Sequence, residues 1–336
     1  MSNASNATVQ PPRLGFLGLG WIGQHRMQAL LDEQACQVAV VADPSPQAQQ
    51  RVRKLAPGAA LASSLDELLA HELDGVVIAT PSALHAQQSL RCLERGLAVF
   101  CQKPLARTAA ETAAMVEAAR RADKLLGCDF SYRHTEAMRR IRNSVVEGEI
   151  GSVYAADLVF HNAYGPDKSW ARDPQLAGGG CAIDLGTHLV DLALWVLGFP
   201  EVARVDSRLY AQGRLLEPGA TEVEDYAVAQ IELATGATVR LACSWNFSAG
   251  CDAAIEAHFH GSRGGVAMRN RNGSFFDFAA ERYHGTQRVS LAEPPDAWGG
   301  RAIVDWARRL AARSGFSPAI EPAVQVATVV DRIYGR

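Results

Sequence analysis

Four short segments carry residue types that bind phosphate or move protons. They are Gly18-Leu-Gly-Trp-Ile-Gly23, Ala79-Thr-Pro-Ser-Ala-Leu-His85, Cys101-Gln-Lys-Pro104 and Gly178-Gly-Gly-Cys-Ala-Ile-Asp-Leu-Gly-Thr-His188. The first is a glycine pattern typical of phosphate-binding turns. The others supply an amine, a carboxylate and imidazoles, which are the groups that acid–base chemistry uses.

The glycine segment follows a predicted strand and opens a predicted helix, which is the context in which GxGxxG is informative. Gly18 would allow the tight turn, and Gly20 would let the backbone approach a pyrophosphate. Trp21 and Ile22 begin the helix, whose N–H groups and dipole favour phosphate. We therefore expect a dinucleotide to bind here.

Asp43 ends the second predicted strand, twenty residues after the glycine segment. Its carboxylate can accept hydrogen bonds from the ribose hydroxyls of an adenosine, and it would repel a 2′-phosphate. We therefore expect NAD in preference to NADP, although Arg51 and Arg53 lie close along the chain. The alternative is a glycine-rich turn with a helix-capping aspartate.

Two further segments follow the fourth and fifth predicted strands. At the fourth, where the strand order should reverse, Thr80, Pro81 and His85 are expected to line the cofactor. At the fifth, Lys103 can reach the same crevice, and Pro104 restrains the turn that carries it. The alternatives are a surface histidine and a surface lysine.

Asp184 and His188 are spaced i, i+4, so they share one face of a predicted helix over 183–197. The remaining positions of this helix are mostly apolar. An aspartate and a histidine in such surroundings are costly unless they pair with each other or face a site. The pattern leaves both possibilities open.

Strands and helices alternate from Arg13 to about Cys128, which predicts a doubly wound parallel sheet. Beyond Phe130, strand-like segments follow one another with few helices, which predicts an open, largely antiparallel sheet. The sequence thus predicts an α/β protein with a disordered tail at 1–12, a nucleotide-binding domain at 13–128 and a second α/β domain at 129–336.

The chain has 336 residues, of which 48% are hydrophobic and 21% charged, and a formal net charge of −3. This composition excludes a disordered chain and argues against nucleic-acid binding. The seven cysteines form no CxxC pair, and the first ten residues lack a signal-peptide pattern. Ionisable residues interrupt the most apolar stretch, 181–199, so no membrane span is expected. We expect a cytoplasmic protein.

Taken together, the four segments resemble the Gfo/Idh/MocA family, the glucose–fructose oxidoreductase and inositol dehydrogenase group. The family pattern has a glycine-rich loop, TPxxxH, Glu-Lys-Pro and GGGxxxDxGxHxxD, and the likeness covers nearly the whole chain from Arg13. The resemblance implies a Rossmann domain followed by an α/β domain whose open sheet forms a homodimer or homotetramer. It also implies NAD(P)-dependent hydride transfer at a secondary alcohol of a sugar, polyol or sugar acid.

The resemblance further implies that Lys103, Asp184 and His188 form the catalytic set. One departure is Gln102, a candidate for cofactor contact, which stands where the family has glutamate. A neutral amide cannot hold Lys103 by a charge-assisted bond, so the positioning of the amine is expected to differ. No metal is implied.

Residues expected between the two domains are candidates for ligand recognition. Candidates for substrate contact are Tyr132, Arg133, His161, Asn162 and Tyr164. Trp170 and Arg172 are expected to close over the nicotinamide and the substrate, and Arg172 can hold a carboxylate with two hydrogen bonds, which would favour an acidic sugar.

Three other functions are alternatives to a net dehydrogenase. A glycosidase or lyase could use bound NAD with no net redox change, and a nucleotide-sensing regulator could use the same fold without catalysis. A metal enzyme could use Asp184, His188, His161, His258 and His260, although this spacing is not a known ligand pattern.

Overall fold

The computed structural model describes residues 10–217 and 219–336. The tail expected at 1–12 lies mostly outside the described residues. The described chain forms two sheets with helices packed between and around them. The cleft between the two sheets holds most of the residues singled out above.

The first sheet has six strands, all parallel, in the order β3-β2-β1-β4-β5-β6. The strands are β1 (Arg13–Leu17), β2 (Gln37–Ala42), β3 (Ala60–Ala62), β4 (Gly75–Ile78), β5 (Ala98–Cys101) and β6 (Leu126–Cys128). Between them run α1 (Trp21–Asp32), α2 (Pro46–Leu55), α3 (Leu65–Leu68), α4 (Ser82–Glu94) and α5 (Ala109–Ala122). The predicted doubly wound sheet is confirmed, and the strand order reverses between β1 and β4, which is where such sheets bind ligands.

The second sheet has nine strands in the order β15-β14-β13-β12-β7-β11-β10-β8-β9. The strands are β7 (Val153–Asn162), β8 (Val202–Ala211), β9 (Arg214–Leu215), β10 (Tyr226–Leu233), β11 (Thr238–Ser244), β12 (Ala253–Gly261), β13 (Gly264–Asn270), β14 (Phe278–His284) and β15 (Gln287–Ala292). All neighbours are antiparallel except β7 and β11, so the predicted largely antiparallel sheet is confirmed. Because β7 and β11 are parallel, their carboxyl ends meet at the cleft.

Five α-helices follow β6 along the described chain: α6 (Glu136–Val146), α7 (Pro174–Ala177), α8 (Thr187–Leu197), α9 (Arg301–Ala311) and α10 (Pro322–Ile333). Helices α6, α8 and α10 pack against the sheet. Within the described residues, one helical stretch, Pro174–Leu197, is long and apolar enough to cross a membrane, but 83% of its most apolar window is buried in the fold. Its apolar side chains therefore build the core.

Helix α9 lies far along the chain but packs against the first sheet. Its Trp306 is buried with Leu14, Phe16 and Phe100 in one apolar cluster, and the ring centroids of Trp306 and Phe100 are 5.7 Å apart. A side chain at Gly75 would come within 2.9 Å of Trp306. One face of the nucleotide-binding sheet is thus completed by a helix from the last tenth of the chain.

Candidate active site

A cavity of about 640 Å³ lies between the two sheets, at the carboxyl ends of β1, β4, β5 and β6. Many of the residues predicted to do chemistry line it. They are Trp21, Ile22, Thr80, His85, Gln102, Lys103, Tyr132, Asn162, Trp170, Asp184 and His188. Residues from both halves of the chain therefore face a single space.

The glycine turn has the shape that a phosphate group needs. Gly18 has φ +90°, and a Cβ atom there would lie 2.4 Å from the carbonyl oxygen of Ala79, so only glycine fits. A Cβ atom at Gly20 would meet nothing within 4 Å, and α1 begins there without a side-chain cap. The first turn of α1 thus keeps N–H groups without a side-chain partner beside open space, which fits a pyrophosphate.

Asp43 braces the same turn. Its Oδ2 accepts a hydrogen bond from the backbone N–H of Leu19 at 2.7 Å, and its Oδ1 accepts from Ser45 N–H at 2.8 Å. Each carboxylate oxygen can accept more than one bond, so both remain able to accept from ribose hydroxyls. The structural and the cofactor-binding interpretations of Asp43 are therefore compatible.

His85 is a buried tether and not a surface residue. Its ring nitrogens contact the carbonyl oxygens of Pro104 (Nδ1, 2.9 Å) and Thr80 (Nε2, 2.8 Å), and only 1% of the residue is exposed. Burial lowers the pKa of His85, and the two carbonyl contacts oppose that effect. His85 thus joins the turn after β4 to the turn that carries Lys103. Pro81, which precedes α4, does not line the cavity.

Lys103 and Asp184 meet across the cleft. The Lys103 Nζ donates to Asp184 Oδ1 at 2.6 Å and to the backbone oxygen of Asp184 at 2.8 Å. The other carboxylate oxygen, Oδ2, accepts from the indole Nε1–H of Trp245 at 3.1 Å. Asp184 therefore fixes the amine of Lys103 and is itself fixed by Trp245.

Asp184 lies in a π-helical turn, Ala182–Gly186, that precedes α8. This turn is held by the buried Glu224, whose carboxylate accepts from Gly180 N–H (3.0 Å), Ala182 N–H (2.8 Å) and the Tyr334 hydroxyl (2.7 Å). Burial raises the pKa of Glu224. The glycine run is needed because a Cβ atom at Gly180 would lie 2.0 Å from the backbone oxygen of Glu224.

His188 lines the cavity one turn beyond Asp184 and is 7% exposed. Burial, followed by the positive charges of Lys103 and Arg26, holds the pKa of His188 well below the usual imidazole range. The ring packs edge-on against Tyr132, with centroids 4.7 Å apart. Burial therefore favours the neutral form of the His188 imidazole, in which one ring nitrogen is a hydrogen-bond acceptor.

Four residues predicted to contact the substrate or the nicotinamide lie away from the cavity. Arg133 forms a buried ion pair with Asp191. His161 stacks on Phe247 and bonds Ser244, on the other face of the sheet. The exposed Tyr164 bonds Asp252, and the exposed Arg172 lies beside Gly165. Arg133 is drawn to α8 because the buried carboxylate of Asp191 needs a cationic partner. His161 faces away from the cavity because side chains alternate along a strand and its neighbour Asn162 faces the cavity.

Several aromatic residues line the cavity that the sequence did not predict. They are Trp245, Phe275, Phe276 and Trp298. Trp245 directly follows β11, so its place at the end of a strand is a usable signal. The other three lie in irregular segments near β14 and α9, where no periodic pattern marks them.

The histidines of β12 lie outside the cleft. His258 pairs with Glu256 and His260 with Asp157, whereas Asp184 and His188 line the cavity. Over 10–217 and 219–336, no three His, Cys, Asp or Glu residues converge as metal ligands do. All seven cysteines are free thiols.

Comparison with known proteins agrees with this arrangement. Residues 13–130 match an oxidoreductase family with an NAD-binding Rossmann fold, and residues 138–267 match the Gfo/Idh/MocA C-terminal domain. The chain is 28% identical to D-glucoside 3-dehydrogenase of Escherichia coli (strain K12) over 79% of both chains, and 27% identical to inositol 2-dehydrogenase of Rhizobium meliloti (strain 1021) over 77% and 76%. Its fold is similar to that of levoglucosan dehydrogenase in complex with NADH and levoglucosan (TM-score 0.80, 23% identity, 97% of each chain).

The fold and the cleft define a two-domain oxidoreductase that binds a nicotinamide dinucleotide, NAD or NADP. The chain belongs to the Gfo/Idh/MocA family, as the four motifs predicted.

Proposed function

We propose that this protein transfers hydride between a nicotinamide dinucleotide and a secondary alcohol of an uncharged sugar or polyol. The observation that carries the proposal is the meeting of Lys103, Asp184 and His188 around one cavity. When bound, the dinucleotide accepts or gives the hydride. The Gly18–Gly23 turn and Asp43 would hold its adenosine and phosphate groups, and Thr80 and Gln102 line the cavity beyond them.

The side chains of the protein must accept the proton of the alcohol hydroxyl during oxidation and return it during reduction. We assign His188 as the acceptor of this proton, because its ring lines the cavity and burial keeps the imidazole in the neutral form. An ammonium has three N–H donors, and Lys103 uses two of them on Asp184. The third can donate to the reacting oxygen and stabilise its developing negative charge. Asp184 holds the amine in place for that purpose.

The charges that line the cavity favour an uncharged substrate. Its Lys and Arg residues, within the described part of the chain, are Arg26, Lys103 and Lys168. Each is paired with a carboxylate: Asp129, Asp184 and Asp167 respectively. Arg172, the residue expected to bind an acidic sugar, lies outside. The aromatic lining, which includes Trp170 and Trp298, suits the apolar face of a sugar ring.

An NAD(P) reduction assay tests this function across inositols, aldoses, glucosides and the matched uronic acids. We expect free NADH or NADPH to form with an uncharged substrate, and its kcat/KM to exceed that of the matched uronate at least tenfold. Preference for the uronate would overturn the choice of substrate class. Cleavage or elimination without free NADH would favour the enzyme with bound NAD.

We also propose that a second copy of the chain covers the open face of the nine-stranded sheet. Helices α6, α8 and α10 pack on the other face, whereas Tyr210, Tyr226 and His161 lie in one cross-strand row on the open face. Val228 follows on the same face and is 37% exposed. Light scattering should show a dimer or tetramer, and Val228→Glu should shift it to monomer; a monomeric wild-type protein would refute the proposal.

A further inference from the structure

Gln102 stands where the family pattern places a glutamate, and its side chain contacts the carboxylate of Asp129. Gln102 follows β5, precedes Lys103 and is 7% exposed. Its amide Nε2 donates to Asp129 Oδ2 at 2.5 Å. A carboxylate therefore lies beside position 102, but another residue supplies it.

Asp129 follows β6 and is 1% exposed. Its Oδ2 also accepts from Arg26 Nε at 2.6 Å, and its Oδ1 has no hydrogen-bond partner within the described chain. Arg26 lies on α1, close to the nucleotide turn, and its Nη1 contacts His25 Nδ1 at 3.0 Å. The buried group Arg26–Asp129–Gln102 therefore links the first helix to the lysine-bearing turn.

The ion pair also sets the orientation of the Gln102 amide. An ionised carboxylate only accepts hydrogen bonds, so the NH₂ group must face Asp129. The amide oxygen Oε1 then lies on the opposite side, and Gln102 is one of the residues that line the cavity. An uncharged acceptor in a fixed orientation is the result.

We propose that Gln102 is a cofactor-positioning residue that presents its Oε1 to a hydrogen-bond donor of the bound dinucleotide, and that Asp129 makes glutamine obligatory at this position. The inference rests on the proposed function for the identity of the ligand. The carboxylate beside position 102 belongs to Asp129, which follows the neighbouring strand β6 and pairs with Arg26.

This coupling makes a clear prediction for the family residue itself. Gln102→Glu would bring two buried carboxylates to the distance of a hydrogen bond, with Arg26 as their shared cation. Like charges at such a distance cannot both stay ionised without cost, so one must take a proton or move away. Gln102→Glu, which restores the family motif, should therefore lower the stability of this protein and weaken its cofactor binding.

A double-mutant cycle tests the coupling at pH 8 with Gln102→Glu, Asp129→Asn and the double variant. Thermal unfolding is measured without cofactor, and NADH affinity by fluorescence titration. We expect each single change to lower the melting temperature by at least 4 °C and to weaken NADH binding at least tenfold. The double variant, which again has one carboxylate and one amide, should return to within threefold of the wild-type NADH affinity.

Gln28→Glu is the matched control, because Gln28 Nε2 donates to Asp32 at 2.6 Å on the exposed surface of the same helix α1. There, water should screen the added charge, and both measurements should stay unchanged. Additive losses in the double variant, or NADH binding unaffected by Gln102→Glu, would overturn the inference. Neither result depends on turnover, so a failure of the proposed function with every sugar would be seen separately.

Discussion

Lys103 is the residue whose contacts bear most directly on the reaction, because its amine donates twice to Asp184 at the edge of the cavity. Lys103→Met keeps the length of the side chain and removes the charge and the donors. We expect the rate of hydride transfer to fall by about 10²–10⁴, with NADH affinity within threefold of wild type. Stopped-flow absorbance at 340 nm measures the first quantity and fluorescence titration the second.

Lys54→Met, on the exposed face of α2, is the control and should keep full activity. A Lys103→Met enzyme that turns over at the wild-type rate would remove Lys103 from the chemistry.

The burial of His188 leads to a prediction for the pH dependence of kcat/KM. Because its pKa lies well below the usual value, the imidazole stays neutral and able to accept a proton until the pH falls below about 6.5. In the direction of alcohol oxidation, kcat/KM should be level from pH 8 to 6.5 and decline only under more acidic conditions. His161→Gln, a change at an imidazole outside the cavity, should leave the profile unaltered. An acidic limb centred above pH 6.5 would contradict the assignment of His188 as base.

The turn between β1 and α1 contains two glycines with different roles. Gly18 is required by the backbone conformation, whereas Gly20 leaves space for a ligand. Gly18→Ala puts a side chain on a left-handed residue and 2.4 Å from a backbone oxygen, so it should cost more than about 2 kcal/mol of unfolding free energy. Gly20→Ala has ordinary φ and open space, so stability should change by less than about 0.5 kcal/mol. NADH affinity should nevertheless drop at least tenfold.

Urea unfolding and fluorescence titration of these two variants check both quantities. If Gly20→Ala bound NADH as tightly as the wild-type protein, the pyrophosphate would have to lie elsewhere.

The elements that the sequence predicted well are those with a strong local pattern. The buried strands β1, β2, β4 and β5 are short apolar runs, and the glycine turn needs glycine at fixed positions for steric reasons. Strands β13 to β15 were not predicted, since β13 begins with two glycines and β15 is mostly exposed, so neither alternates clearly. The π-helical turn that carries Asp184 was predicted as ordinary helix, because the anchors that hold it, Glu224 and Tyr334, are distant in sequence.

At the level of the site, sequence spacing identified groups at strand ends but could not tell which side chains already had partners. Arg133 is a candidate for substrate binding by its position in the sequence, but in the structure its guanidinium pairs with Asp191. The amine–carboxylate contact between Lys103 and Asp184 joins two domains and has no local signature, so only the family resemblance anticipated it.

Stability of the whole molecule should depend on pH through its buried imidazoles. Burial lowers the pKa of His85 and of His188 in the folded state, so below about pH 6.5 the unfolded chain takes up protons that the folded chain does not. Unfolding free energy should therefore be fully present above that pH and fall by up to about 1.4 kcal/mol per pH unit for each such group. His188→Gln should reduce the slope between pH 6.5 and 5.5, measured by urea unfolding; an identical slope would mean that His188 titrates normally.

Helix α9 has a consequence for any attempt to produce the cofactor-binding half by itself. A fragment that stops at residue 128 would leave Phe16 and Phe100 without the indole that covers them. Such a fragment should aggregate and express poorly. A fragment fused through a short linker to residues 296–314 should instead be folded and monodisperse. During synthesis, the nucleotide-binding half would stay unfinished until the ribosome has made nearly all of the polypeptide.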